Sequence, residues 1–242
     1  MIPVEICVNS KNESSVFLAV GNAWAGGASR IELCASMEHD GLTPPVAHIE
    51  QARAAFWDRP GLLVMIRPIP GGFVYQSKDI KLMESQIISA AKAGANGVVI
   101  GVLEQKNGGV HQEYCRRLVG CAKDHDLSVT FHRAFDATPD WRRTLDTVIA
   151  LGIDRVLSSG TPWGTATTAL DGVNRLAEMI QFADGNIELV VGGGVNHGNV
   201  PVIVDALRDL NGCFSLHAYS AVLENDDVSR DKVSSLCSLV GS

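Results

Sequence analysis

The chain has 242 residues, a net charge of −7 at neutral pH, and 46% hydrophobic residues. This hydrophobic content is enough for a packed core and argues against intrinsic disorder. The negative charge argues against a nucleic-acid-binding surface. The longest apolar stretch, residues 97–103, is far shorter than the roughly 20 residues that a membrane-spanning helix needs. We therefore expect neither a nucleic-acid nor a membrane partner.

The chain contains no linker rich in proline, serine or glycine, so we predict a single domain over residues 1–242. Residues 1–5 already have the pattern of a strand, and we expect no signal peptide. The six cysteines show no CxxC spacing and are scattered singly. This distribution is typical of reduced thiols and predicts a cytoplasmic protein.

Short apolar runs alternate with longer amphipathic ones from one end of the chain to the other. The predicted strands are 3–8, 30–34, 62–67, 97–103, 128–132, 154–159, 187–192 and 214–218. The clearest helical patterns between them are 79–93, 112–125, 139–151 and 199–210. Eight such units favour an α/β fold of the (β/α)8 TIM-barrel type. An open, doubly wound sheet built from the same units is the alternative.

The first two strands carry polar side chains on one face. Glu5 and Cys7 alternate with aliphatic residues in the first strand, and Glu32 and Cys34 do so in the second. We expect these polar faces to point into the barrel, towards the carboxyl-end half, where active sites form. Buried carboxylates need partners, and Arg67 on the third strand is the expected counter-ion. The alternative is an ion-pair network that only fills the barrel.

The two strand cysteines are candidate metal ligands. Neighbouring strands lie ~4.8 Å apart, a separation that two sulfur–metal bonds of ~2.3 Å can span. Thiolate ligands favour Cu(I) over Mg²⁺ or Ca²⁺. Cys7 and Cys34 are therefore a candidate Cu(I) site, and the sequence implies no organic cofactor. Buried, unreactive cysteines are the alternative.

The fifth predicted strand ends in the most distinctive segment of the chain. His132 closes this strand, and Asp136 follows four residues later, before a helix start at Thr138-Pro139. A histidine with a pKa near ~6.5 suits proton transfer at neutral pH. If this end of the barrel catalyses a reaction, His132 is the candidate general acid or base. Asp136 would then orient its ring.

The last three strands suggest an anion site. Ser159 and Gly160 end the sixth strand, Gly193 and Gly194 follow the seventh, and His217 lies on the eighth. Barrels of this type build phosphate sites from the loops after strands seven and eight. Glycine permits close approach of the backbone to an anion. A tight turn that needs glycine is the alternative explanation.

These features together resemble the CutC copper-homeostasis family. The most specific matching element is Thr-Phe-His-Arg-Ala-Phe-Asp at residues 130–136. The resemblance implies a cytosolic (β/α)8 barrel that forms homodimers or larger homo-oligomers and handles Cu(I) through cysteines matching Cys7 and Cys34. The other matching segments are residues 5–10, 27–34, 41–44, 65–68, 71–73, 97–103, 155–160 and 192–195, together with His217.

The chain departs from the family pattern after the third strand. An arginine and an aspartate usual in that loop are missing from Arg67-Pro68-Ile69-Pro70 and the following Gly71-Gly72-Phe73. Tyr219 stands where a serine is usual. These changes affect an enzymatic site more than they affect the cysteines. We therefore expect a Cu(I)-binding copper-homeostasis protein, with an enzyme acting on a small phosphorylated or anionic metabolite as the alternative.

Overall fold

Eight parallel strands close into a barrel in the computed structural model, which describes residues 2–241. The strands are β1 (Val4–Asn9), β2 (Arg30–Cys34), β3 (Leu62–Met65), β4 (Gly97–Ile100), β5 (Ser128–Phe131), β6 (Arg155–Ser158), β7 (Glu188–Val191) and β8 (Phe214–Ala218). They pair in chain order, and β8 closes on β1. The predicted (β/α)8 barrel is therefore confirmed, and the open sheet is wrong.

Eight helices surround this barrel. They are α1 (Glu13–Ala25), α2 (Val46–Phe56), α3 (Ser77–Lys92), α4 (Gln112–Lys123), α5 (Trp141–Ala150), α6 (Val173–Ala183), α7 (Val200–Leu207) and α8 (Arg230–Ser238). A short hairpin of β9 (Leu223–Glu224) and β10 (Asp227–Val228) precedes α8. Within residues 2–241, no helix is both long and apolar enough to cross a bilayer.

Two strands end at least two residues earlier than the sequence predicts. The third strand was expected over 62–67 but ends at Met65, because the Arg67 N–H donates to the hydroxyl of Thr43 instead of a neighbouring strand. The fourth was expected over 97–103 but ends at Ile100. Beyond it, Leu103 forms an antiparallel bridge with Val110 outside the barrel. Local partners thus draw both chain segments away from the sheet.

Two predicted helices also have different ends. The helix expected from residue 139 begins at Trp141, because the carboxylate of Asp140 accepts hydrogen bonds from the N–H groups of Arg142 and Arg143. This is the usual role of an aspartate just before a helix. The last predicted helix, over 199–210, is α7, which ends at Leu207.

The alternation of side chains along β1 and β2 is confirmed. Ile6 and Val8 belong to the large core between the barrel and the helices. Cys7, Cys34 and Met65 belong to a separate cluster inside the barrel. Side chains on a strand alternate between its two faces, so the polar residues share the inner face.

A layer of ion pairs fills the amino-terminal end of the barrel. Arg30, the first residue of β2, donates to Glu5 at 3.0 Å and to Glu188 at 2.6 Å. Arg155 donates to two strand hydroxyls beside them. The predicted pairing of Arg67 with the carboxylates is wrong, because that guanidinium donates to loop carbonyls instead. Glu5 belongs to this ion-pair layer and does not line the cavity at the carboxyl ends of the strands, where it was expected.

We predict that Arg30→Met will destabilise the fold by ~3–5 kcal/mol, because it removes the cation that Glu5 and Glu188 share in this layer and leaves only His217 to compensate the buried charge of Glu5. Arg142→Met is the matched control, since Arg142 pairs with Glu178 on the exposed surface. That change should cost less than ~1 kcal/mol. Urea unfolding of both variants measures the two free energies. Equal losses would contradict a structural role for the buried layer.

Candidate functional site

A cavity of about 260 Å³ lies at the carboxyl ends of the barrel strands. Strand residues form its floor, and the loops after β2, β3, β5, β6, β7 and β8 form its walls. The side chains that matter for its chemistry are Cys7, Glu32, Cys34, Met37, Arg67, Phe73, His132, Arg133, Trp163, His217 and Tyr219.

Glu5 and His217 form a buried pair beneath this cavity. His217 Nδ1 lies 2.8 Å from Glu5 Oε1, and the two residues are register partners on β8 and β1. Burial acts to raise the pKa of Glu5, but the hydrogen bond and charge of His217, with the charge of Arg30, lower it to about 2. Burial likewise opposes the charge of His217, yet the surrounding Glu32, Cys7 and Glu5 raise its pKa well above the usual value. His217 is therefore a cation at neutral pH.

Three sulfur atoms meet on the cavity floor. Cys7 Sγ lies 3.9 Å from Cys34 Sγ and 3.8 Å from Met37 Sδ. The hydrogen bond from Cys34 lowers the pKa of Cys7 to about 6 against the effect of burial, and His217 adds to this. The same contact and burial raise the pKa of Cys34 well above the usual value. At neutral pH the pair therefore consists of one thiolate and one thiol.

Gly41 makes room for these sulfur atoms. Its φ is +84°, and a side-chain carbon there would lie 3.2 Å from Cys34 Sγ and 3.5 Å from Met37 Sδ. Positive φ already favours glycine. The turn that carries Met37 begins after Ser36 and ends at Asp40, and both of these residues adopt left-handed backbone angles. This turn directs the thioether back over the thiols.

Glu32 completes the polar floor. Its Oε2 lies 3.6 Å from both His217 Nε2 and Cys34 Sγ. Burial raises the pKa of Glu32 to about 8, and the neighbouring Cys7 and Glu5 add to this despite the charge of His217. Glu32, Cys7 and Cys34 lie close enough together to ligate one metal ion. Glu32 Oε1 has no partner among residues 2–241.

Burial keeps the ring of His132 neutral at neutral pH. Its Nδ1 accepts a hydrogen bond from the Ala134 N–H at 3.1 Å, which assigns the ring proton to Nε2. Burial, together with the charge of Arg67, lowers the pKa of His132 to about 3. Nε2 has no partner among residues 2–241. His132 is thus a neutral hydrogen-bond donor, and a side chain at Gly101 would collide with its ring.

The expectation that Asp136 orients His132 is wrong. The chain forms a 3-10 turn over Arg133–Ala137, which directs the carboxylate towards β6. There it accepts hydrogen bonds from the hydroxyl of Ser158, the N–H of Ser159 and the guanidinium of Arg133. Asp136 therefore fixes Arg133 at the rim of the cavity.

The predicted anion-site residues do not all lie together. Gly193, Gly194 and His217 line the cavity. Ser159 instead bonds Arg133 and Asp136 behind the cavity wall. Gly160 packs against the start of α6, where no side chain would fit. Ser159 therefore acts on the cavity indirectly, through its hydrogen bond with Arg133.

Arg67 and two aromatic rings form the remaining wall. The guanidinium of Arg67 is held by the carbonyls of His39, Gly41 and Gly71. Arg67 Cζ also lies 5.4 Å from the centroid of the Phe73 ring. The Phe73 centroid is in turn 5.0 Å from the ring centroid of His132 and 5.3 Å from that of Trp163. Arg67 is thus a fixed cation in the cavity wall.

Met37 and Arg133 are among the cavity residues that the sequence did not predict. Met37 follows Cys34 by three residues, so a Cys-x-x-Met spacing was present as a signal. Arg133 stands next to His132 in the most distinctive segment of the chain. Neither position could be read from strand alternation, because both residues lie in 3-10 turns after their strands.

Comparison with known proteins agrees with this architecture. The model of the CutC family matches residues 2–220. A family protein CutC of Vibrio campbellii is 41% identical over 205 residues, which cover 85% of this chain and 78% of that protein. The human copper homeostasis protein cutC homolog is 36% identical over 202 residues, covering 84% and 68% respectively. A crystal structure of CutC from Streptococcus agalactiae superposes with a TM-score of 0.75 at 28% identity, over 90% of this chain and 98% of that one. This chain belongs to the CutC family.

Proposed function

We propose that this protein binds Cu(I) at the barrel mouth through Cys7 and Cys34, with Met37 as a third ligand. It would thereby buffer or pass on copper in the cytoplasm. The proposal rests on three sulfur atoms that lie together on the floor of the cavity. Cys34 Sγ and Met37 Sδ lie 3.9 and 3.8 Å from Cys7 Sγ. Membership of a family with members named for copper homeostasis supports it.

The sulfur separations suit three-coordinate binding. Three ligands around one ion, with metal–sulfur bonds of ~2.3 Å, lie roughly 4 Å apart. Two sulfurs on opposite sides of the ion would lie about 4.6 Å apart. The distances from Cys7 to Cys34 and Met37 are 3.9 and 3.8 Å. The observed spacing therefore favours a trigonal arrangement over a linear one.

The chemistry of these ligands favours Cu(I). Thiolate and thioether sulfur are soft ligands that select this ion. Cys7 is already ionised at neutral pH because Cys34 and His217 stabilise its charge. Cys34 has a raised pKa and would release its proton when the metal binds. The cationic His217 then balances part of the negative charge of two thiolates.

Zinc is the main competing ion for this site. Cys7, Cys34 and Glu32 could supply three ligands of the kinds that zinc accepts. The nearest candidate for a fourth is His217, whose Nε2 lies 3.6 Å from Glu32 Oε2. However, His217 would first have to lose a proton that Glu32 and Glu5 hold strongly. The chain's own electrostatics thus oppose the fourth zinc ligand and leave the sulfur atoms available.

A cytoplasmic location and a homo-oligomeric state belong to the same proposal. All six cysteines are free thiols, as expected in a reducing compartment. Self-association rests on the family resemblance.

The enzymatic alternative has weaker support from the geometry. It relied on His132 to exchange protons near neutral pH, but burial and Arg67 lower its pKa to about 3. Asp136, its expected partner, bonds Arg133 instead. Neither residue has the arrangement on which the enzymatic alternative relied.

We predict that Cys7→Ser and Cys34→Ser will each weaken Cu(I) binding by more than ~100-fold. Loss of a partner outside the ligand shell already costs metal sites roughly 10–100-fold, and a thiolate ligand contributes more. Anaerobic competition with a Cu(I) chelator measures the affinity. The control is Cys213→Ser, which changes an exposed cysteine and should leave the affinity unchanged. Wild-type affinity in either floor variant would refute this site.

Met37→Leu should weaken Cu(I) binding roughly tenfold, equivalent to ~1.4 kcal/mol, and leave Zn(II) binding unchanged. Leucine keeps the volume of methionine but removes the thioether. Titrations with Cu(I) and with Zn(II) measure the two affinities. Loss of a thioether ligand should lower only the Cu(I) affinity, whereas a distorted cavity floor should lower both. If both ions lose affinity equally, or neither does, Met37 is not a Cu(I) ligand.

A further inference from the structure

Three cationic side chains line the cavity although the protein is acidic overall. The chain carries a net charge of −7, yet Arg67, Arg133 and His217 all line this one cavity. One Cu(I) ion on the floor needs only the nearby His217 as a charge partner. The two arginines lie on the wall and rim, where the copper site gives them no role.

Three backbone N–H groups without acceptors in the described part of the chain belong to residues that line the same cavity. The N–H groups of Gly193, Gly194 and Val195 donate to no acceptor within residues 2–241. Both glycines have positive φ, +98° and +72°, and all three residues line the cavity. Successive N–H groups in such a bend form a concave site for an anion.

Arg133 lies against these donors. A side-chain carbon on Gly193 would come within 2.7 Å of Arg133 Nη1. Nε and Nη2 of Arg133 bond Asp136 and Ser159, whereas Nη1 has no partner among the described residues. The guanidinium is therefore held rigid, with one nitrogen beside the glycine turn. Trp163 covers its face, 5.2 Å from the ring centroid to Cζ.

Two further donors in the wall lack partners. His132 Nε2 and Arg67 Nε are buried and bond nothing within residues 2–241. An unpaired buried polar group costs ~1–3 kcal/mol. Both residues line the cavity and are 4% and 2% exposed. A polar ligand in the cavity would offer these groups acceptors.

We propose that the rim of this cavity binds a small phosphate monoester. Its phosphate would lie on the N–H groups of Gly193, Gly194 and Val195 and on Arg133 Nη1. Its polar body would extend towards His132 and Arg67. The cavity volume of about 260 Å³ is just below the ~300–1,000 Å³ usual for ligand pockets. The organic part of the ligand must therefore be short. This site is separate from the sulfur atoms that would bind Cu(I).

Calorimetric titration of the full chain with glycerol phosphate tests the proposal. Three probes serve as controls. Glycerate carries a carboxylate in place of the phosphate, inorganic phosphate lacks the organic part, and glycerol lacks the charge. We expect glycerol phosphate to bind at least tenfold more tightly than each of them. No binding of glycerol phosphate at millimolar concentration would overturn the proposal. Tighter binding of glycerate would overturn the assignment to phosphates.

A matched pair of variants locates the site. Gly194→Asp and Gly194→Asn have nearly the same shape, and both residue types tolerate the left-handed backbone found there. Both must displace Thr168 in the same way, because a side-chain carbon at this position would lie 2.7 Å from its methyl group. We expect Gly194→Asp to weaken glycerol phosphate binding at least tenfold relative to Gly194→Asn, because its carboxylate repels the phosphate. Equal affinities in the two variants would refute this placement. Chelator competition should show wild-type Cu(I) affinity in both, which verifies folding and separates this result from the copper proposal.

Discussion

The arrangement of the site depends on one buried negative charge, the carboxylate of Glu5. A carboxylate removed from water is costly unless cations and hydrogen bonds compensate it. Arg30 compensates it from below at 3.0 Å, and His217 compensates it from above at 2.8 Å. This requirement fixes the ring of His217 and holds it positive. That cation in turn stabilises the thiolate of Cys7 on the cavity floor.

The charged groups above Glu5 lie at two levels of the cavity, its floor and its rim. On the floor, neutral Glu32 and cationic His217 surround the sulfur atoms, an environment suited to a soft cation bound by thiolates. On the rim, Arg67 and Arg133 are held by carbonyls and by Asp136, so neither can swing down to neutralise the floor. Under the two proposals, one cavity would combine a floor that binds a soft metal with a rim that binds an anion.

Strand alternation predicted the barrel and the inward positions of Glu5, Cys7, Glu32 and Cys34, because side chains on a strand repeat every two residues. It could not predict residues whose direction is set by turns. Asp136 was expected near His132, but a 3-10 turn carries it to β6. Arg67 was expected to pair with carboxylates, but the early end of β3 places it among loop carbonyls. Met37 reaches the thiols only because two residues flanking its turn adopt left-handed angles. The single-domain assignment over residues 1–242 stays a prediction.

X-ray absorption at the copper edge of the Cu(I)-loaded protein tests directly whether Cys7, Cys34 and Met37 bind the ion. Three sulfur ligands at ~2.3 Å, with no nitrogen or oxygen in the first shell, are expected for a site made by Cys7, Cys34 and Met37. The sulfur count should fall from three to two in Met37→Leu. A first shell containing nitrogen or oxygen, or a spectrum unchanged in Cys7→Ser, would contradict the account.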